Sequence, residues 1–337
     1  MRMNLRIKNK FAIFGGNMKQ SRKNFVILLI SLLVLSALSI VIGVKDVSLK
    51  MIISGDFETI RLITISRLPR LFSILLTGAG LSIAGLIMQT ITGNKFTSPT
   101  TAGTMEWCRL GVALAIILAG GEHKMFKIAI AFIISLLGTL LFVQLLSRLK
   151  FQNAIMVPLI GMMLGNVVSS ITTYIAYKYD IIQNMSSWLQ GNFSLVIKGR
   201  YEILYLGLPF IIIAYIYANR FTIAGMGESF STNLGLNHKR VVFIGLVIVA
   251  FLSSIIVVTI GSIAFVGLII PNLVAMYKGD NIRGSLLETA MFGAVFVLIC
   301  DLIGRTILYP YEVPISVVVS IIGSVIFLLV LFKKRKG

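Results

Sequence analysis

An all-α membrane fold, with ten helices crossing a bilayer and no large soluble domain, is what this sequence predicts. Three observations lead there. Apolar residues make up 57% of the 337 and charged ones only 13%, against roughly 25% charged in soluble domains, and the mean hydropathy is +0.95. Runs of about 20 apolar residues, long enough to cross the hydrocarbon layer, recur with short polar stretches between them. No period of 20 to 50 residues repeats, so a solenoid is excluded.

The elements follow in order. Residues 1–24 form a polar, basic cytoplasmic segment, in which Met18 is a second candidate start. The run 25–44 exceeds the roughly 7 to 15 residues of a signal-peptide core and lacks an A-x-A site, so it reads as span one. Spans two to five are expected at about 68–91, 103–119, 125–147 and 154–177. The polar segment 178–200 contains SSWLQGNF, read as a short interfacial helix with Trp188 at the headgroup boundary. Span six is expected at about 201–219, followed by the longest internal polar loop, 220–239. Spans seven to ten fall at about 240–260, 261–277, 285–304 and 313–332, before the basic tail 334–337. The membrane-spanning body therefore covers 25–333.

Ten spans put both termini on one side, and Lys and Arg say which. With the N-terminus inside, 19 are internal: 7 before span one, then 1, 2, 3 and 2 in successive loops, and 4 at the end. Eleven are external and Arg109 lies within a span, which accounts for all 31. That bias places both ends in the cytoplasm. The formal charge of +19 therefore serves orientation; no soluble basic face exists to receive nucleic acid.

Arg67, Arg70 and Arg305 then face outward. Such arginines ordinarily anchor to lipid phosphates, but Pro69 stiffens the entry to span two, and Arg305 emerges near Pro310 and Pro314. Guanidinium groups held on a rim suit the carboxylates of a soluble partner. In the internal loop, Met226, Phe230 and Leu234 fall at i, i+4 and i+8, with Glu228 among the polar positions, and Gly235 followed by Leu236 reads as a helix stop. A helix lying on the bilayer would prefer Lys and Arg on its polar face; this one fits a protein groove. Gly78, Gly80 and Gly85 in span two, and Gly161 with Gly165 in span five, allow close helix approach. Met156, Met162 and Met163 are either filler or the lining of an adaptable path. Glu106 and Arg109, three apart in span three, are expected to pair on one face. Cys108 and Cys300 have no ligand-like spacing and are read as packing residues, with no metal site. His123 and His238 fall on opposite sides of the membrane, and no P-loop occurs.

Three runs carry a resemblance: RLPRLFSILLTGAGLSIAGLIMQTITGNKFTSPTTAG, GSIAFVGLIIPNL and DLIGRTILYPYEVPISVVVSIIGSVIF. Together they resemble the membrane subunits of iron–siderophore and vitamin B12 ABC importers, over about residues 25–333, and SPTTAGTMEWCRLG is similar to the ferric siderophore branch, particularly the catecholate type. The resemblance implies a type II ABC importer permease that is not itself an enzyme and sits in the bacterial inner membrane. It also implies a second permease subunit, a soluble substrate-binding protein, and two ATPase subunits that carry ATP and magnesium, this chain binding no cofactor. Arg67, Arg70 and Arg305 match the family's docking arginines. Residues Gly227 to Leu236 match its ATPase-coupling region, and Gln152, Asn153 and Ala154 its cytoplasmic gate. Asn272 stands where many relatives have His, and GTMEWCRLG replaces a small Ser/Gly run. The implied mechanism is alternating access, with spans five and ten rocking. The alternatives are a vitamin B12 or heme permease of the same family, an ion-gradient-driven transporter and a membrane enzyme.

Overall fold

The computed structural model describes residues 24–43, 56–99, 103–120, 124–148, 156–199, 201–279 and 281–335. Every regular element among them is helical. In chain order these are α1 (Asn24–Val41), α2 (Phe57–Thr92), α3 (Thr104–Leu118), α4 (Lys124–Arg148), α5 (Met156–Lys178), α6 (Ile182–Leu189), α7 (Gly207–Ala224, entered through a 3-10 turn at Glu202–Leu206), α8 (Glu228–Asn233), α9 (His238–Ile260), α10 (Val266–Lys278), α11 (Ile282–Thr306) and α12 (Ile315–Arg335). Six stretches of the described residues are long and apolar enough to cross a membrane: α1, α2, Leu159–Lys178 of α5, α7 with its leading turn, α9 and α11. Shorter apolar stretches lie in α4, α10 and α12.

The hub is α2, which packs against α11, α9, α10 and α7. Its small residues set how close these neighbours come. A side chain at Gly78 would meet the Gly293 backbone of α11, and one at Gly85 the Gly267 backbone of α10. Two apolar clusters surround this hub. One gathers Ile74, Phe193, Ile256 and Val297, the other Ile87, Phe221, Ile248 and Leu286. Phe251 of α9 links α7 and α4, stacking on Phe210 with centroids 3.7 Å apart and meeting Phe132 edge-on at 5.1 Å.

Two prolines shape the bundle by what they fail to donate. Pro69 has no N–H to give the carbonyl of Ile65, four residues before it. The chain answers with a wider π turn at Ile63–Arg67, in which Leu68 N–H reaches back to Ile63 O. The Ile65 carbonyl accepts instead from Lys198 N–H at 3.0 Å. Likewise Pro271, inside α10, releases the Gly267 carbonyl, and the buried amide of Gln89 on α2 donates to it at 3.3 Å and to Leu268 O at 3.0 Å. Such repair by neighbouring helices is what allows proline in membrane helices.

The first proline corrects one sequence expectation. Span two does not begin at 68 with a stiffened entry; the helix starts at Phe57, where Asp56 caps it by accepting from Thr59 N–H at 3.1 Å. The charges of Glu58 and Arg61 lower local hydropathy without disfavouring helix, so hydropathy alone begins the span too late. Trp188 has a partner within the chain: its indole N–H donates to Val258 O at 2.8 Å, in the last turn of α9, where carbonyls lack intrahelical donors. At the chain's end α12 runs to Arg335, into the expected tail.

Candidate functional site

Because α2 and α7 run towards the α8 end while α9 and α11 run back, the three candidate arginines and the α8 stripe lie at opposite ends of the bundle. At the arginine end the C-terminus of α1 offers carbonyls that no helical N–H reaches, a natural seat for cations. Arg305 occupies it, donating to Ser39 O at 2.9 Å, Ile42 O at 3.1 Å and Ser39 Oγ at 3.0 Å. Arg67 also donates to Ile42 O. Asp301, one turn before Arg305 on α11, pairs with it and with Arg70, whose Nη2 lies 2.9 Å away. Arg70 then grips Glu312 with Nη1, 3.0 and 2.8 Å from the two carboxylate oxygens, and Ser194 Oγ–H donates to the same carboxylate.

The three arginines therefore do converge, but not as free cations on an outer lip. Arg67 and Arg305 are only 8% and 3% exposed. Buried charge must be paired or fully hydrogen-bonded, and here α1 carbonyls and two carboxylates meet that need. The Arg70–Glu312 pair is the part nearest solvent, with side chains 11% and 18% exposed. Among the five charged side chains three are positive and two negative. Burial alone would push the Glu312 carboxyl up, but Arg70, the Ser194 hydroxyl and Arg305 outweigh it and hold that carboxyl below the usual range.

At the other end α8 is a six-residue helix with its apolar stripe outward: Met226, Phe230 and Leu234 are 59%, 48% and 59% exposed. Gly227 leads into it and Glu228 opens it. It stops where the sequence says it should. Gly235 takes φ 76°, Leu236 N–H returns to Ser231 O at 3.0 Å and Gly235 N–H to Thr232 O at 2.9 Å, a paired closure that favours glycine at this position. On the buried side Ser231 Oγ–H bonds to Gly227 O at 2.8 Å and lies 3.0 Å from His238 Nδ1. The stripe is thus presented by a short rigid hook.

Of the other candidates, Glu106 and Arg109 stand 3.4 Å apart on one face of α3, and Gly165 lies against Glu106 Cγ. Met162 is exposed on α5. The side chain of Met156 and all of Gln152, Asn153 and Ala154 lie outside the described residues. Asn272, the variant position in α10, donates to Lys95 O at 2.8 Å and Leu268 O at 2.7 Å, pinning the loop after α2. Cys108 and Cys300 are buried and unbridged. Sequence reasoning overlooked four residues that organise these ends: Gln89, Asp301, Glu312 and Glu288, the last paired with Lys278 between α10 and α11. Asp301 had a visible signal, its i, i+4 spacing to Arg305.

Known proteins resemble this chain over most of its length. The chain is 54% identical over 308 residues to the petrobactin import system permease protein YclN of Bacillus subtilis, covering 91% of this chain and 98% of that one. It is 37% identical to the petrobactin import system permease protein FatD of Bacillus anthracis (96% and 95% covered) and 37% identical to the ferric-anguibactin transport system permease protein FatD of Vibrio anguillarum (92% and 99%). A solved structure assigned to the metal-chelate type of ABC transporter, in an inward-facing conformation, superposes with a TM-score of 0.82 at 26% identity, covering 93% of this chain and 99% of that one. Matched from residue 28 to 333, the chain belongs to the FecCD transport family.

Proposed function

We propose that this chain is the membrane-spanning permease of an ATP-driven ABC importer of type II architecture, moving a ferric siderophore by alternating access. The match to the FecCD transport family over nearly the whole chain carries this reading. Petrobactin, named for two of the relatives, is the first cargo to test. In this reading α1–α5, α7 and α9–α12 are ten spans in a bacterial cell membrane, with both termini cytoplasmic. The 15-residue α3 and 13-residue α10 fall short of the roughly 20 residues a free span needs, and neighbouring helices flank them.

The family and the uncovered surfaces support this set of partners. Two ATPase subunits, holding ATP and magnesium, receive the α8 stripes; this chain binds no cofactor and catalyses nothing alone. A second permease, identical or distinct, faces α5. That helix exposes Asn166 and Tyr174 beside Met162 and Met163, and polar groups at such positions favour a path over lipid. A binding protein docks at the arginine end. Since Arg67 and Arg305 are held from behind, an incoming carboxylate engages Arg70 by exchanging with Glu312.

The test is reconstitution of the permease pair with its ATPase and binding protein in liposomes. Accumulation of radioactive iron as ferric petrobactin should require ATP. Uphill accumulation driven by an ion gradient without nucleotide would overturn the reading.

A further inference from the structure

A cavity of about 330 Å³ opens at the arginine end, between α3, the start of α4, α6, the segment after α6 and the last turn of α9. No charged side chain of the arginine network lines it, and the two meet through Asn192, whose Oδ1 accepts from Ser194 N–H at 2.8 Å. One wall is polar and neutral, with Asn184, Ser187, Gln190 and Asn192. Most of the remaining wall is apolar, including Ile116, Ile128 and Val258. Lys127 is the single charged group lining the cavity, and it forms no ion pair with any described residue. It lies in the first turn of α4, and a long side chain near a helix end can carry its ammonium towards a bilayer boundary.

One cation, several hydrogen-bonding groups and a largely apolar wall describe an amphiphile site. The volume is at the lower end of the range for small-ligand pockets. A free phosphate would satisfy Lys127 but leave the apolar wall wet. A lipid brings glycerol and acyl carbons to cover that wall while its phosphate meets the ammonium. The geometry points to a headgroup site for an anionic phospholipid of the leaflet at the arginine end, its phosphodiester on Lys127 and its headgroup hydroxyls among Asn184, Ser187, Gln190 and Asn192. Bound there, the lipid would wedge α6 against the end of α9.

Trp188 lines the same cavity and supplies the signal. The full-length protein carrying Trp107→Phe, purified in a neutral detergent, is titrated with short-chain phosphatidylglycerol, short-chain phosphatidylcholine and inorganic phosphate while Trp188 emission is recorded. Phosphatidylglycerol should give a saturable change, weakened about fivefold by Lys127→Ala, the ratio expected for one lysine at an anionic lipid surface, and restored by Lys127→Arg. Ser187→Phe, at an exposed position, should abolish it by filling the mouth, with an unchanged melting temperature. An equal response to phosphatidylcholine, saturation by inorganic phosphate alone, or undiminished affinity in both Lys127→Ala and Ser187→Phe would overturn the proposal.

Discussion

Asp301 holds two guanidinium groups at once, that of Arg305 buried and that of Arg70 largely so, at 11% exposed. Replacing it with Asn keeps the shape but leaves Arg305 and Arg70 without their shared counter-charge, a loss of about 3 to 5 kcal/mol for a broken buried pair. Asp301→Asn should therefore sharply lower the melting temperature of detergent-purified protein; a shift below a degree would show that the α1 carbonyls suffice. Glu312 behaves differently because it is closer to solvent. Its folded carboxyl is held down, so its stabilising contribution is fully present above the unfolded value of about 4.3 and is lost as pH falls through the lower folded value. Melting temperatures of the wild type and Glu312→Gln should thus differ at pH 7 and converge in acid below about pH 4. If the docking exchange is correct, Glu312→Gln should also tighten capture of the binding protein, since Arg70 keeps only Asp301 as an internal partner among the described residues.

At the level of helices, the bond from Gln89 to Gly267 O exists because Pro271 withholds a donor. Gln89→Leu alone should cost about 1 to 3 kcal/mol, the range for an unsatisfied buried acceptor. In a Pro271→Ala background the new backbone N–H can reach Gly267 O, and the same substitution should cost less. Equal costs in both backgrounds, read by thermal melts, would separate Gln89 from the proline. For α8, Phe230→Ala and Leu234→Ala should leave the melting temperature within a degree or two of wild type, because both side chains are largely exposed, while uncoupling transport from ATP hydrolysis in the reconstituted complex. Loss of stability instead would mean that the stripe packs within this chain. This element was legible in the sequence, since the i, i+4, i+8 spacing and Gly235 are local signals. The start of α2 was not. Hydropathy marks where a helix becomes apolar, whereas Asp56 and Thr59 mark where it begins.

Over the whole molecule, the order and approximate limits of the apolar helices could be read from hydropathy, and three separated runs pointed to the family. The state of the arginines could not be read that way. Arg70 meets Glu312 across 242 residues and Asp301 across 231, and besides Asp301 the acceptors for Arg305 include backbone carbonyls at the end of α1, which carry no sequence signature. A residue's charge says that a partner must exist; only tertiary structure says whether that partner is inside or outside the chain. The glycine contacts around α2 show the same division. Gly78 and Gly85 announced close packing, but that their partners are Gly293 on α11 and Gly267 on α10 follows from the pairing of helices.

The two carbonyls released by proline also impose an order on synthesis. Gln89 is translated some 180 residues before Gly267, so the missing donor already exists when α10 is made. Ile65 has the opposite history: its donor, Lys198, is made later than its oxygen, and Ile65 is 39% exposed in the folded chain. Exchanging the depths of these two prolines would leave a nascent helix stranded in hydrocarbon with nothing to bind.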